Sequence, residues 1–445
     1  MIPHPSRTAR PEGLLVSLWN PDFPGDTNGR HWQNAGFLHT KGPHRGRFVY
    51  RRDYDGPPLD PLHLDYRTQA PGAFFDPPGQ DRLFDVFQDA LPGHFGIGLL
   101  ARHDPGFQDR DALEQLATFG RRAHAGLLFR PYGPERTDER DLTRLAELEA
   151  IQAQLAGWPS LETDLLTPTT FYALTSLGGA RPKASVCLGG RYFVAKFNLP
   201  GDPYTSLARV EHATLRLAAA AGLCVPASSV VTLPESGADV LLVERYDRSR
   251  QHRAHNLSLR TLTGIDNVGT RRSDVDAREV DRVLGALKTP VGEHHEWIRR
   301  VAFMAGIQDA DNHLGNTAMQ LDAHNAWGLT PVYDLVPVTG NPPFATRLAG
   351  FPDPRQALTP HFVPAISRLF ARPLDEVQAL VTRTWAAMGA AAEDVFREAR
   401  VCAADRALLR EAIPLATLST LVAHAAPGLS SSRAGRGRTV DHQCR

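Results

Sequence analysis

The spacing of apolar residues changes along this chain of 445 residues, and the changes restrict the fold more than any other feature. Residues 12–55 alternate short apolar and polar stretches between turn residues, which is typical of antiparallel strands. Helical spacing begins near Asp81 and is strong over 139–155, after which a proline-bearing stretch ends the pattern. We therefore predict an N-terminal α+β domain at 1–135 and a helix with a linker at 136–168.

A second group of strand-like segments follows the linker. One helical segment, 207–221, lies among apolar runs with strand character at 171–174, 184–188, 192–197, 228–233 and 240–245. Helical patterns dominate from Glu279 onward, and the last residues are rich in Ser, Gly and Arg. This order predicts the α+β class, with a β-rich lobe at 169–248, a mostly helical lobe at 249–426 and a disordered tail at 427–445.

Composition excludes several kinds of partner. The chain has 49 Lys+Arg and 49 Asp+Glu, so no overall basic field favours bulk binding of nucleic acid. Its 42% of hydrophobic residues suffice for real cores, but no apolar run approaches the roughly 18 residues that span a bilayer. The four cysteines lie far apart, and none forms a CxxC pair. We therefore expect a cytoplasmic protein in a reducing environment, with no membrane partner.

Lysine is rare in this chain. Only four lysines occur, which leaves 45 arginines among the 49 basic residues; they are Lys41, Lys183, Lys196 and Lys288. A coding preference for arginine accounts for the total. Lysine is nevertheless a compact point charge, whereas arginine is a planar fork, so positions that need a point charge should be enriched among the four.

Several segments resemble known motifs but lack the residues or the structural context that those motifs require. Residues 96–101 have the glycine spacing of a dinucleotide fingerprint but lie within helical spacing with no strand before them, so helix packing explains them better. No lysine follows a glycine, which excludes the GxxxxGK[ST] loop. The acids at 309–311 lack the glycine and glutamate of a calcium loop, and 294–296 lacks the HExxH spacing. At 294–296 we expect a solvated helix start.

An acid and an amide five residues apart are the most informative local pattern. Asp311 and Asn316 reproduce the spacing by which protein kinases place a catalytic Asp and a metal-binding Asn. Asp334, 18 residues after Asn316, could bring a second carboxylate to the same metal, and Lys196 closes a strand as a phosphate-pairing lysine must. An ordinary buried polar turn would give the same Asp–Asn spacing.

Taken together, several segments resemble the HipA-like serine/threonine kinases. The similarity keeps the family's order and spacing over about residues 165–345, in the segments 176–183, 194–197, 243–248, 311–316 and 331–334 and in the helix that carries Glu211. The N-terminal part resembles the family's N-terminal subdomain more loosely. The resemblance implies a bilobal protein-kinase-like fold with an N-terminal α+β subdomain and a helical C-terminal region.

The resemblance also implies roles for individual residues. Asp311 would be the catalytic base, and Asn316 and Asp334 would hold Mg²⁺. Ser176 matches a serine that family members phosphorylate in their own phosphate loop. The residues that would bind ATP are Lys196, Lys183, Gly178, Gly179 and His313 near the phosphates, and Glu244 and Tyr246, whose backbone groups would bind the adenine.

The implied activity is ATP-dependent phosphorylation of a protein hydroxyl. By resemblance, the protein is the toxin of a toxin–antitoxin pair, its substrate is a translation protein such as an aminoacyl-tRNA synthetase, and its partner is a helix-turn-helix antitoxin. Two departures bear on this expectation: Gly315 replaces the usual Lys, and 257–262 replaces a QEDF-like segment. A catalytically weak nucleotide-binding regulator and a small-molecule kinase are the alternatives.

Overall fold

A computed structural model describes residues 12–23, 31–77, 83–107, 109–119, 126–131, 144–157, 168–175, 177–249, 251–266 and 275–425. The chain forms two compact units. The first comprises Met1–Gly201, Ser229–Leu257 and Gln320–Ala326, and the second comprises Asp202–Ser228, Ser258–Met319 and Trp327–Arg445. The predicted tail at 427–445 lies outside the described residues, and the predicted domain boundaries stay predictions.

The first unit begins with an antiparallel sheet of order β4-β3-β2-β1-β5. In the interior strand Gly13–Trp19 the apolar residues Leu14, Val16 and Leu18 are buried, as the alternation in the sequence predicts. The strands are β1 (Gly13–Trp19), β2 (Trp32–His39), β3 (Phe48–Tyr50), β4 (Phe74–Phe75) and β5 (Leu127–Pro131).

A second antiparallel sheet of order β6-β7-β9-β8 follows, and it confirms four of the predicted strands. Its strands are β6 (Lys183–Leu188), β7 (Arg191–Phe197), β8 (Ser228–Thr232) and β9 (Asp239–Glu244). Successive side chains of a strand point to opposite faces, so one face carries Ala184, Val186, Ala195 and Phe197, all of which are buried. Lys183 and Lys196 therefore lie on the opposite face.

Helices of the first unit cover the apolar face of the second sheet. The helices are α1 (Asp85–Gln88), α2 (His94–His103), α3 (Ala112–Phe119), α4 (Leu145–Leu155) and α5 (Pro168–Thr175). A single apolar cluster joins α2, α4 and α5 to the sheet through Phe95, Leu99, Leu148, Ile151, Phe171, Leu174, Ala184, Val186, Phe197 and Leu242. The lobe that carries the two lysines is thus built on helices from the N-terminal part of the chain.

The strand predicted at 171–174 is wrong, because these residues belong to α5. A short apolar run has no period of its own that separates a strand from a buried helix. Pro168 occupies the first helical position, where its fixed φ favours a helix, and Phe171 and Leu174 are three residues apart on the buried side.

The second unit is mostly helical. Its 25-residue helix α12 contacts α6, α9 and α14. The helices are α6 (Leu207–Ala220), α7 (Leu259–Thr263), α8 (Arg278–Ala286), α9 (Val291–Ile307), α10 (Pro354–Ala357), α11 (Phe362–Leu369), α12 (Leu374–Glu398), α13 (Ala403–Ala412) and α14 (Leu415–Ala425). Three short strands, β10 (Asn256–Ser258), β11 (Ala318–Leu321) and β12 (Trp327–Leu329), form a third sheet of order β10-β11-β12, and the division between the two units falls within β10 and within β11. The α+β class with antiparallel sheets is confirmed.

The solvated helix start expected at 294–296 is wrong. His294 and Glu296 are buried in α9, and Glu296 accepts hydrogen bonds from the Cys224 backbone N–H and from the Arg300 Nε–H. Burial alone would raise the pKa of Glu296, but the charges of Arg300 and Arg299 outweigh it and the pKa is lowered. Glu296 therefore has a structural role, because its hydrogen bond connects α9 to the backbone of Cys224. Within the described residues, no helix is both long and apolar enough to cross a membrane.

Buried His255 predicts a pH-dependent stability. Its ring Nε2 lies 2.8 Å from the Leu59 carbonyl oxygen, and burial lowers its pKa to about 4. The unfolded chain binds this proton below about pH 6.5, whereas the folded protein does not, so stability falls as pH drops from 6.5 towards 4. Denaturant titration should show that His255→Gln removes about 2 kcal/mol of the loss at pH 5. The exposed His324→Gln is the control, and an equal decline in both variants would contradict this assignment.

Candidate functional site

Two of the four lysines are direct cross-strand partners in the first unit. Lys183 of β6 pairs with Lys196 of β7, and both side chains are half-buried on the face opposite the apolar cluster. Directly opposed side chains of an antiparallel pair have Cβ atoms only about 5 Å apart, so two ammonium groups there repel each other. The strand pairing therefore places two cationic side chains together on one face of the sheet.

A glycine-bearing turn lies against the same lysines. Gly179 has a φ of +108°, and a Cβ atom at this position would lie 2.6 Å from the Lys183 Nζ. Only glycine therefore combines this backbone conformation with this approach of the ammonium group. Gly178 has open space where a Cβ would be. Two ammonium groups and a glycine turn with exposed backbone are groups that phosphate sites commonly use. Ser176, the predicted phosphosite, lies outside the described residues.

Glu244 and Tyr246 lie at and just beyond the end of β9. The Glu244 carboxylate accepts the Arg191 Nε–H at 2.9 Å, and the Arg191 guanidinium makes a second contact with it. The Glu244 side chain is therefore engaged in an ion pair across the sheet. The predicted role of Glu244 uses its backbone, which this ion pair does not occupy. Tyr246 is half-buried in the turn that follows the strand.

In the second unit, the acidic loop begins where α9 ends. Gln308 adopts a left-handed φ of +55° at the helix end, and the Asp309 N–H donates to the Met304 carbonyl oxygen at 3.0 Å. Buried Asn312 then fixes the loop: its Nδ2 donates to the Thr346 carbonyl at 2.8 Å, and its Oδ1 accepts the Thr346 N–H at 3.0 Å. Two hydrogen bonds from one side chain give the loop a defined position.

The Asp311 side chain of this loop lies in solvent, and the Asn316 side chain turns towards the Asp311 backbone. The Asp311 side chain is 79% exposed. Asn316 Nδ2 donates to the Asp311 backbone carbonyl at 2.8 Å, so the remaining amide oxygen of Asn316 is its group suited to a cation. The predicted pair is thus brought together, with an accessible carboxylate beside an oriented amide.

Asp334 is held close to the same loop by its neighbours. The Tyr333 hydroxyl donates to the Gly315 carbonyl oxygen at 3.1 Å, and the Val332 N–H donates to the Cys224 carbonyl at 2.9 Å. Asp334 itself has a φ of +54°, a region that few residues other than glycine adopt. Backbone strain of this kind is typical of functional sites, where the surrounding contacts enforce it.

The charges of the loop act on one another. Burial raises the pKa of Asp309 well above its ordinary value, and the charges of Asp311 and Asp334 raise it further. Burial lowers the pKa of His313, and the charge of Arg260 lowers it as well. The charges of Asp311 and Asp334 act in the opposite direction and raise it. Asp311, His313 and Asp334 therefore share one electrostatic environment. Asp309 is an addition to the site, whose only signal in the sequence was its place in the rejected calcium pattern.

The residues present fit a magnesium ion. Mg²⁺ prefers oxygen ligands and is commonly held by one or two carboxylates together with substrate phosphates and water. Asn316 and Asp334 would supply an amide oxygen and a carboxylate, and each is the next residue after a partner in the Tyr333–Gly315 hydrogen bond. Among the described residues, no group of three or more His, Cys, Asp or Glu side chains could hold a metal. A site of two protein ligands completed by phosphate agrees with both observations.

A cavity behind the loop does not serve as a substrate pocket. It measures about 20 Å³, which is room for one water molecule, and its lining includes Asp309, Asn312, Asn316 and Tyr333. The Asp311 carboxylate lies on the exposed side of the loop and is not among the residues that line this cavity.

Comparisons with known proteins give matches that include the lysine pair and the acidic loop. The family model described as "HipA-like C-terminal domain" matches residues 175–397. A curated relative, "Putative kinase Y4dM" of Sinorhizobium fredii, is 27% identical over 160 residues, a match that covers 33% of this chain and 37% of that protein. The matched region is thus well under half of the relative's length.

Solved structures were compared as well. The HipA chain of the Shewanella oneidensis MR-1 toxin–antitoxin complex of HipA, HipB and operator DNA is 17% identical, with a TM-score of 0.68 over 93% of this chain and 96% of that one. This shows a shared fold. The Helicobacter pylori proinflammatory kinase CtkA is 11% identical over 55% of this chain and 95% of its own, and its TM-score of 0.35 carries no weight.

The raised pKa of Asp309 predicts a gain of stability on its neutralisation. The folded protein favours the protonated form, so the wild type loses stability as pH rises from about 3.8 through the raised folded-state pKa. Asp309→Asn keeps an acceptor for the Asp311 N–H and removes the charge. Its melting temperature relative to wild type should therefore be higher at pH 7.5 than at pH 4. The exposed Asp394→Asn should show no such difference, and equal destabilisation by Asp309→Asn at both pH values would contradict the charge argument.

Proposed function

Because the chain belongs to the family of proteins with a HipA-like C-terminal domain, we propose that it is an ATP-dependent serine/threonine protein kinase of the HipA toxin type. The observation that carries this proposal is the acidic loop. An exposed Asp311 carboxylate, an Asn316 amide fastened to the Asp311 backbone, and Asp334 tied to the same loop through Tyr333 supply the groups that phosphoryl transfer requires.

In the proposed reaction, Asp311 accepts a hydrogen bond from the hydroxyl of the protein substrate. The hydroxyl oxygen forms a bond to the γ-phosphorus of ATP, the bond from that phosphorus to the ADP oxygen breaks, and Asp311 takes the hydroxyl proton. Magnesium, held by Asn316 and Asp334, neutralises charge on the phosphates when bound. The exposure of Asp311 supports this role, since a protein substrate must reach the carboxylate.

The lysine pair supplies the phosphate-binding part of the proposal. Lys183 and Lys196, with the turn of Gly178 and Gly179, would hold the ATP phosphates, and the backbone around Glu244 and Tyr246 would hold the adenine. His313 would lie near the phosphates in the neutral form, because burial lowers its pKa. A bilobal arrangement of nucleotide-binding and catalytic lobes is part of the proposal.

Gly315 removes a cation that the family usually has beside its metal-binding Asn, and Arg260 is a candidate replacement. The Leu259 N–H donates to the Thr317 carbonyl at 2.8 Å, which places the start of α7 against the loop. Arg260 follows directly and influences the pKa of His313. A positive charge near the loop favours an active kinase over the alternative of a catalytically weak nucleotide-binding regulator.

Substrate and partner follow from the family resemblance. We propose a cytoplasmic toxin that phosphorylates a translation protein such as an aminoacyl-tRNA synthetase, that modifies itself at Ser176, and that is bound by a helix-turn-helix antitoxin. The complex of the Shewanella protein with HipB and operator DNA supports an antitoxin partner for this chain.

Two substitutions separate the base from the metal ligand. Asp311→Asn should lower phosphate transfer about 10²- to 10⁴-fold, because a positioned base is lost, while ATP binding persists. Asp334→Asn should instead weaken the magnesium-dependent part of nucleotide binding. Both effects can be measured with labelled ATP and by calorimetry, with the exposed Asp394→Asn as the control. Wild-type transfer rates in both variants would show that the assignment is wrong.

The two lysines at 196 and 288 provide a matched test of the point-charge argument. Lys196 is half-buried in β7, so Lys196→Arg should lower both ATP affinity and turnover because the planar guanidinium does not fit the position. Lys288 is exposed after α8, and Lys288→Arg should change neither quantity. Equal and negligible effects of the two substitutions would refute the phosphate role of Lys196.

A further inference from the structure

The start of α2 lies in direct contact with the glycine turn that precedes β6. A Cβ atom placed on Gly93 would lie 2.0 Å from the Gly179 backbone nitrogen, 2.4 Å from the Gly179 carbonyl oxygen and 2.7 Å from the Gly178 carbonyl carbon. All three atoms belong to the backbone, so no flexible side chain could move aside. Any residue other than glycine at 93 must displace either the turn or the helix.

The helix is the less mobile of the two. Phe95 and Leu99 of α2 are 5% and 0% exposed and belong to the apolar cluster shared with α5 and the second sheet. On the same turn of α2, the Phe95 N–H donates to the Gly179 carbonyl at 3.3 Å. A side chain at 93 would therefore shift the turn of Gly178 and Gly179, since shifting α2 would open a packed core.

The backbone conformation of Gly93 does not itself require glycine. Its φ of −72° and ψ of 177° are extended and suit any residue, and serine is among the residues most favoured at a position that precedes a helix. Local preferences at the helix start therefore favour serine over glycine. The contact with Gly179 is the feature that excludes a side chain here.

We propose that α2 holds the glycine turn in position and that Gly93 is a positioning residue for nucleotide binding by Gly178, Gly179 and Lys183. The inference rests on the proposed function, since it assigns the nucleotide phosphates to this turn. The turn is held from two sides, by α2 behind Gly179 and by the Lys183 Nζ in front of it. A segment of the chain distant in sequence from the lysines thereby sets the geometry of the phosphate site.

The test compares serine at two glycines of the same region. Gly93→Ser adds the clashing Cβ together with an oxygen that can cap α2, a cap that the wild type lacks. Gly98→Ser places the same side chain within α2, where a Cβ meets nothing within 4 Å. Gly93→Ala adds the clash without the cap, so an effect that both variants share comes from the Cβ and not from the serine oxygen.

Two measurements are made on the full chain: amide hydrogen exchange of residues 177–183 without nucleotide, and the Kd for MgATP by calorimetry. Gly93→Ser and Gly93→Ala should both speed exchange in that segment and raise the Kd about 10- to 100-fold, because a shift of about 1 Å in a positioned group costs that much. Gly98→Ser should change neither quantity, and the melting temperature of Gly93→Ser should stay close to that of wild type.

Unchanged exchange of residues 177–183 in both Gly93 variants would overturn the claim that α2 holds the turn in position. Faster exchange with an unchanged Kd would overturn the positioning role, since the turn would then move without affecting the nucleotide. A wild-type protein that does not bind MgATP would refute the proposed function instead. In that case the positioning role fails with it, and the exchange comparison still decides whether α2 holds the turn.

Discussion

The pairing of β6 with β7 is the constraint on which the first unit depends. It places Lys183 directly opposite Lys196 on one face, while Ala184, Val186 and Phe197 on the other face are buried against three helices. The packing of the apolar face thus fixes the two strands that carry the lysines. Helices from the N-terminal part of the chain are therefore components of the proposed phosphate site as well as a separate structural layer.

The second unit likewise holds side chains of one charge close together, and there the charge is negative. Asp309, Asp311 and Asp334 act on one another electrostatically, and the loop keeps them near each other through the two hydrogen bonds of Asn312 and the Tyr333 hydroxyl. A cluster of ammonium groups suits a polyphosphate, and a cluster of carboxylates suits a divalent cation. A kinase needs both ligands, which is why the proposed function accounts for both clusters.

Strand and helix spacing alone predicted β6, β7, β8, β9 and α6 closely, because each has a clear period and turn residues at its ends. The run at 171–174 was misassigned because four apolar residues fit a buried strand and a helix equally well. Asp311, Asn316 and Asp334 were found by spacing and resemblance. Asp309, Asn312 and Gly93 were not, because their roles depend on burial, on the distant backbone of Thr346 and on contact with Gly179. No local pattern carries such information.

The central claim is that the chain transfers phosphate from ATP to a protein hydroxyl. The direct test incubates the purified protein with magnesium, ATP labelled at the γ-phosphate and a cell lysate, and then separates proteins from small molecules. The account predicts label on protein as a phosphate ester of serine or threonine. Label found only on a metabolite would establish a small-molecule kinase, and ATP binding without any transfer would establish a nucleotide-binding regulator; either result would contradict the account.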